Sequence, residues 1–169
     1  MKKLVCAAAM LGLLLMNAAA LPELGALHAK SAALYAANGQ ELYVSNADEK
    51  LQPASVTKIM TMLLVCEAVD SGQITLEEAV TASPYASSMG GSEIWLEPYE
   101  TMAVDEMLRA TAIASANDAA VTLGEHLAGT ESLFADRMNQ RAAELGMDST
   151  HFVNACGLDE AGHYTTARD

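Results

Sequence analysis

Basic residues are scarce in this chain of 169 residues, which has 9 lysines and arginines against 22 aspartates and glutamates. The formal net charge is therefore −13. A nucleic-acid surface needs clustered lysine and arginine to displace counterions, so the composition argues against a nucleic-acid partner. Adhesion to anionic lipid through a basic patch is disfavoured for the same reason.

Metal-ligand motifs are also missing. The sequence has three cysteines and four scattered histidines, with no C-x-x-C and no H-E-x-x-H. These spacings are signatures of metal sites, so no metal site and no cofactor are predicted. Cys66 lies in an apolar run and is expected to be a small buried hydrophobe, and whether it pairs with Cys156 stays open.

An N-terminal segment accounts for part of the hydrophobic content, which is 51% overall. Two lysines follow Met1, the stretch from Leu4 to Met16 is apolar, and alanines at 18–20 offer an A-x-A cleavage site. This layout is typical of a secretory signal peptide rather than of a membrane span or a buried helix. We therefore expect residues 1–20 to be removed, and residues 21–169 to be exported without a membrane anchor of their own.

The remaining sequence predicts one hairpin and several helices. Asn38-Gly39 is a strong hairpin signal, because both central residues of a type I′ turn need positive φ. The run from Val56 to Val69 is almost entirely apolar and predicts a helix that is buried on most sides. Prolines and a Gly-Gly pair predict a loop over 83–100. Caps and apolar periodicity predict further helices: a short one at the Thr75/Glu78 capping box, one over 104–113, one over 118–129 capped by Asp118, and one over 131–145.

Ser55 and Lys58 are three residues apart in the segment P-A-S-V-T-K. On a helix this spacing places both side chains on one face, about 5–6 Å apart at Cβ. Burial can lower a lysine pKa by about 3 to 5, and a neutral amine can accept the serine proton. A helix N-terminus disfavours the ammonium form and stabilises an oxyanion. The alternative is a lysine whose charged end simply reaches water.

Ser115, Ala116 and Asn117 follow at a break between two apolar segments, where side chains can face a cleft. A second hydroxyl can relay a proton, and an amide can hold both a lysine amine and a substrate peptide. Alternatively, this segment is a polar turn that ends one helix, with Asn117 and Asp118 capping the next.

In this order the two motifs resemble those of the penicillin-recognising serine peptidases. Longer segments extend the resemblance: NADEKLQPASVTKIMTMLL, ASSMGGSEIWLEP, AIASANDAAVTLGEHLAG and ELGMDSTHFVNACGLDEAGHYTTARD. Together they resemble the D-alanyl-D-alanine carboxypeptidases of peptidase family S11, the low-molecular-mass penicillin-binding proteins, over about residues 31–169. The resemblance implies an α+β fold, in which a helical cluster packs on an antiparallel sheet as in β-lactamases and DD-peptidases.

The resemblance also implies a role for each motif residue. Ser55 would attack the penultimate D-alanine of a peptidoglycan pentapeptide ending in D-Ala-D-Ala, and Lys58 would take its proton. Ser115 would pass a proton to the departing D-alanine, while Asn117 would position Lys58 and the substrate amide. Water would then hydrolyse the acyl-enzyme, and β-lactams would acylate the same serine as covalent inhibitors. Such an enzyme acts outside the cytoplasm, in the cell wall or at the outer face of the cytoplasmic membrane.

The sequence departs from the family pattern in its third motif. Lys-Thr/Ser-Gly is absent, and no lysine follows Lys58. In the family this strand supplies a cation for the substrate carboxylate and one oxyanion donor, whose loss costs about 2.7–4 kcal/mol. We therefore expect residues 21–169 to be the N-terminal portion of a catalytic domain, truncated before this motif and missing the later strands, so that its own activity stays open.

Two other functions stay open. A class A β-lactamase-like hydrolase shares both motifs, whereas a non-catalytic module that only binds cell wall or β-lactams would account for the missing third motif. A Ser-His-Asp triad is disfavoured because no G-x-S-x-G elbow surrounds a serine. His151 and His163 are expected to be structural or surface residues, and Trp95, the only tryptophan, to be partly buried in its loop.

Overall fold

The computed structural model describes residues 27–169, so the predicted signal peptide at 1–20 lies outside the described residues. The chain divides into two compact units, one ending at Ser45 and the other running from Asn46 to Asp169. In the described part of the chain, no helix combines the length and the apolar character needed to cross a bilayer.

The first unit contains an antiparallel hairpin, which confirms the prediction from the Asn-Gly pair. Strand β1 (Ala32–Tyr35) pairs with strand β2 (Glu41–Ser45). The turn is not the predicted type I′ form, because only its glycine, Gly39, has a positive φ, of 82°. Gly39 N donates to Ala36 O at 2.9 Å, and Ala36 N donates to Gln40 O at 2.8 Å. This is the pattern of a three-residue loop that ends in a left-handed glycine.

The second unit contains four α-helices within residues 46–169. A 3-10 turn (Ala54–Thr57) leads into the first helix, and a π-helical turn (Ala110–Ala114) continues the second. Thr130 Oγ1 caps the fourth by accepting a hydrogen bond from Leu133 N at 3.2 Å. The helices are α1 (Lys58–Asp70), α2 (Val104–Arg109), α3 (Asn117–Ala128) and α4 (Glu131–Glu144).

The prediction of a short helix at the Thr75/Glu78 capping box is wrong. The Glu78 carboxylate does accept from Thr75 N at 3.4 Å, but strand β3 (Ala79–Thr81) follows the turn. Pairing of β3 with β4 (Thr101–Ala103) outweighs the local helix signal, and the strands bracket the loop predicted over 83–100. The described strands thus form two separate two-stranded sheets, and their combination with the helices confirms the α+β class.

Helix α3 is the centre of the core and packs against α1, α2 and α4. Its close approach to α4 requires Gly124, because a Cβ at this position would lie 2.7 Å from the Phe134 ring. Large, fully buried side chains from all four helices complete the core: Val65, Met107, Leu123, Phe134 and Met138.

The start of α1 is less buried than its sequence predicts. Val56, in the 3-10 turn that leads into α1, is 61% exposed, and Ile59 in α1 is 63% exposed. Cys66 is exposed as well, contrary to the prediction, and both Cys66 and Cys156 are free thiols. Trp95 is 81% exposed rather than partly buried. Apolar composition thus overstates burial at these positions.

Candidate active site

Ser55 lies in the 3-10 turn before α1, next to a residue in an unusual conformation. Ala54 has a φ of 47°, a left-handed value that costs a residue with a Cβ about 1–3 kcal/mol. Gly157 packs directly against this turn, and a Cβ on it would collide with the Ala54 carbonyl oxygen. Close packing therefore holds the backbone before Ser55, while the Ser55 side chain stays exposed.

Lys58, the first residue of α1, is only 2% exposed. Its Nζ contacts Asn117 Oδ1 at 2.6 Å, Cys156 O at 2.7 Å and Ser55 Oγ at 3.2 Å. All three partners are neutral oxygens. Burial lowers the pKa of Lys58, and the opposing effect of the nearby Cys156 thiol is smaller. A lysine whose charged end reaches water is therefore excluded.

These contacts fit both protonation states of Lys58. An ammonium group has three N–H donors, whereas a neutral amine has two donors and one lone pair. An ammonium group can donate to all three oxygens. In the neutral form, Asn117 Oδ1 and Cys156 O can accept the two shorter hydrogen bonds while the lone pair faces the Ser55 hydroxyl. Burial of Nζ favours the neutral form, and the partial positive charge of the helix N-terminus adds to that preference. Lys58 can thus accept a proton from Ser55.

Asn117, the first residue of α3, is buried and anchored on both sides. Its backbone N donates to Ser92 O at 2.7 Å, and its Nδ2 donates to Gly90 O at 2.6 Å. The second bond sets the orientation of the amide, so Oδ1 faces Lys58. A Cβ on Gly91 would lie 2.8 Å from Asn117 Nδ2, so glycine permits this close approach of the loop.

Ser115 follows the π-helical turn and has a left-handed backbone, with φ 56° and ψ 33°. It is half-buried, and its hydroxyl makes no hydrogen bond to any residue in the 27–169 range. Direct hydrogen bonds therefore join Ser55, Lys58 and Asn117, three of the four predicted site residues. Ser115 is linked to this group only through the backbone, two residues before Asn117.

Asp118 has a role that sequence reasoning misses. It is not the helix cap, because α3 already begins at Asn117. Its buried carboxylate accepts hydrogen bonds from Ile94 N at 3.2 Å and from Leu96 N at 3.0 Å. Asp118 thus ties the 90–96 loop to the start of α3, beside Asn117. An acidic residue at the start of a strongly apolar helix was the available signal.

The backbone of segment 154–157 is a second missed component. Asn154 Oδ1 accepts from Gly157 N at 2.7 Å, which folds the segment into a tight turn. The buried Glu131 carboxylate accepts from Ala155 N at 2.9 Å. Together these bonds hold the Cys156 carbonyl, whose oxygen accepts a hydrogen bond from Lys58 Nζ. Every residue has a carbonyl group, so no pattern of side chains identifies this ligand.

The side chains of the remaining candidate residues make no hydrogen bond to Ser55, Lys58 or Asn117. His163 is buried and His151 is exposed, and neither hydrogen-bonds Ser55 or Lys58. Burial raises the pKa of the Cys156 thiol, which disfavours a reactive thiolate. Within residues 27–169, no three histidine, cysteine, aspartate or glutamate side chains are grouped closely enough to hold a metal ion.

A serine hydrogen-bonded to a buried lysine on an α+β scaffold fits nucleophilic acyl-transfer chemistry. The chain belongs to peptidase family S11, D-alanyl-D-alanine carboxypeptidase, whose family model matches residues 16–169. It is 52% identical to D-alanyl-D-alanine carboxypeptidase DacF of Bacillus subtilis over 142 residues, which cover 83% of this chain and 36% of DacF. It is 38% identical to DacC of Escherichia coli over 139 residues, covering 79% of this chain and 35% of DacC. The resemblance seen in the sequence is thus confirmed.

Solved structures share the fold. The D-alanyl-D-alanine carboxypeptidase DacD from Francisella tularensis has a TM-score of 0.81 at 33% identity, covering 85% of this chain and 35% of DacD. Penicillin-binding protein D2 from Listeria monocytogenes, in an ampicillin-bound form, has a TM-score of 0.75 at 37% identity, covering 87% of this chain and 60% of that protein. The chain spans about a third of the length of the curated relatives it matches, 36% and 35% for the two carboxypeptidases above.

Proposed function

We propose that this chain is the N-terminal portion of the catalytic domain of an exported serine D-Ala-D-Ala carboxypeptidase. The reaction removes the terminal D-alanine from peptidoglycan pentapeptides. The observation that carries the proposal is the buried Lys58, whose Nζ lies 3.2 Å from Ser55 Oγ beside two neutral acceptors. The names of the relatives support the choice of substrate.

In the first step, Ser55 Oγ attacks the carbonyl carbon of the penultimate D-alanine while Lys58 Nζ accepts the hydroxyl proton. The 3.2 Å separation supports this transfer without a large movement of either side chain. The lowered pKa of Lys58 makes the neutral base available closer to neutral pH.

The tetrahedral intermediate then collapses, the C–N bond to the terminal D-alanine breaks, and the departing amine takes up a proton. We assign Ser115 to relay that proton from Lys58, because its hydroxyl is not engaged by any described residue. Asn117 holds Lys58 through Oδ1, and the second N–H of its Nδ2 is left for the substrate amide. Attack by water on the ester then releases the shortened peptide and restores Ser55.

The same chemistry makes β-lactams covalent ligands of Ser55 in this proposal. Attack on the lactam carbonyl opens the ring, and the leaving nitrogen stays attached to the acyl group. A relative that is 37% identical has been crystallised in an ampicillin-bound form, which supports this assignment.

The proposed place of action is outside the cytoplasm, in the cell wall or at the outer face of the membrane. The support is the sequence of residues 1–20, with two lysines, an apolar stretch and an A-x-A site. Fractionation of cells that express the chain tests this. Full-length chain retained in the cytoplasm would contradict export.

Labelled penicillin tests the enzymatic proposal. The purified chain is incubated with a fluorescent penicillin beside the Ser55→Ala variant, and circular dichroism verifies that both are folded. Covalent label on the wild type and none on the variant is the expected result. A folded wild type that takes no label contradicts an active enzyme and favours a module that only binds. Rapid release of hydrolysed penicillin favours a β-lactamase instead.

A further inference from the structure

His163 is a buried histidine that the proposed mechanism does not use. It is 3% exposed, with Nε2 at 2.7 Å from Thr57 Oγ1 and Nδ1 at 3.1 Å from Val153 N. The backbone N–H of Val153 is a donor, so Nδ1 must accept and the ring proton resides on Nε2. His163 therefore donates a hydrogen bond to Thr57.

Thr57 lies between Ser55 and Lys58 in the chain, at the end of the 3-10 turn that leads into α1. Its side chain is buried against the C-terminal segment, where a Cβ on Gly157 would lie 2.9 Å from Thr57 Oγ1. The bond to His163 therefore ties this turn to a residue 106 positions away. Holding Thr57 restricts rotation of the turn that presents Ser55 and Lys58.

We propose that His163 is a positioning residue for the Ser55–Lys58 pair and acts through the hydroxyl of Thr57. The inference rests on the proposed function, because it concerns the proton transfer between those two side chains. Without the bond, the turn can rotate and lengthen the 3.2 Å separation between Ser55 Oγ and Lys58 Nζ. His163 contacts neither reacting atom, so the loss falls on the acylation rate rather than on the affinity for penicillin.

The neutral state of His163 is part of this arrangement. Burial is the largest effect and lowers the pKa of His163; Glu160 and Asp159 oppose that shift, and His151 adds to it. A protonated ring would direct an N–H at the N–H of Val153 and lose that hydrogen bond. His163 therefore keeps its bond to the backbone at a more acidic pH than an exposed histidine would allow.

Conservative and disruptive substitutions separate this role from simple core packing. Thr57→Val keeps the shape and removes the hydroxyl, whereas Thr57→Ser keeps the hydroxyl. Thr57→Val and His163→Ala should each slow penicillin acylation by about 10- to 100-fold, with the affinity of the pre-acylation complex unchanged. Thr57→Ser should remain close to wild type. His126→Ala is the control, because His126 pairs with Glu78 at 3.1 Å on the protein surface.

The double variant Thr57→Val/His163→Ala should be no slower than the slower single variant, because both remove the same bond. Where His163→Ala does not fold, His163→Gln, which keeps an N–H donor, should retain most of the rate. Additive losses, or Thr57→Ser as slow as Thr57→Val, would overturn the proposal.

A readout independent of activity separates this inference from the proposed function. The ¹³C signal of Lys58 Cε reports its titration in a chain that takes no penicillin as well as in one that does. Its titration should shift in Thr57→Val and His163→Ala, and not in Thr57→Ser. An unchanged Lys58 titration in every variant would refute the role of His163, whereas a shift without labelling of the wild type would refute only the proposed function.

Discussion

Replacing Asn117 with aspartate should keep Lys58 protonated, so that Lys58 can no longer accept the proton of Ser55. The substitution puts a carboxylate oxygen at the position of Oδ1, 2.6 Å from Lys58 Nζ, with almost no change in side-chain shape. With an effective dielectric constant of about 20, the attraction between the two charges at this distance is on the order of 6 kcal/mol. The negative charge therefore favours the ammonium form and raises the pKa of Lys58.

The expected loss of activity follows from this energy. A factor of ten in the neutral fraction corresponds to about 1.36 kcal/mol. Even a third of the attraction, about 2 kcal/mol, would lower the neutral fraction of Lys58 by about 30-fold. The rate of acylation by labelled penicillin at pH near 7 should fall at least that far, and should recover partly as the pH is raised. The assay is the acylation rate measured across a pH series.

Asn139→Asp is the matched control for this experiment. Asn139 Nδ2 donates to Phe152 O at 2.7 Å, and its Oδ1 accepts from Phe152 N at 2.7 Å. The change removes the same kind of amide donor without placing a charge against a lysine. Its acylation rate should stay close to that of the wild type. An Asn117→Asp rate equal to wild type across the pH series would refute the argument that neutral Lys58 is the base.

Three further changes should alter stability or titration. Gly124→Ala should lower the free energy of unfolding in urea by about 1–3 kcal/mol, because the new Cβ would lie 2.7 Å from the Phe134 ring; an unchanged midpoint would contradict that contact. The pKa of His163 lies below its ordinary value of 6.5, so its contribution to stability is complete above that value and is lost as the pH falls below it. His163→Gln should remove this part of the pH dependence, and identical slopes in both proteins would count against it. Glu131→Gln should lower the pKa of the Tyr85 hydroxyl, because the hydrogen bond to Glu131 is the main cause of its raised value; absorbance titration of the tyrosines measures the change.

Local signals explain why part of the site is predictable from the sequence. Ser55 and Lys58 meet because they are three positions apart, across the 3-10 turn that leads into α1. Asn117 joins them because a break between apolar segments marks the start of another helix. Helix α4 (Glu131–Glu144) also matches its prediction within one residue, since its threonine cap and the glycine after it are both local features.

The parts of the site and of the fold that the sequence does not predict depend on contacts between distant parts of the chain. The Cys156 carbonyl and the 90–92 loop contribute backbone atoms, which carry no signature in the sequence. Strand β3 replaces a predicted helix because it pairs with β4, about twenty residues later. The exposure of Trp95 likewise follows from how the loop is tied to Asp118, which no local pattern reveals.

Burial should lower the pKa of Lys58 in the folded chain, which its role as the base for Ser55 requires, and the titration of Lys58 measures this shift. Lysines labelled with ¹³C at Cε are followed by NMR across a pH series, and the Lys58 signal is assigned by its loss in Lys58→Gln. The Lys58 pKa should lie below the ordinary lysine value of 10.5 in the folded protein and should return to that value on unfolding in urea. A folded-state pKa at or above 10.5 would contradict the role of Lys58 as the base for Ser55.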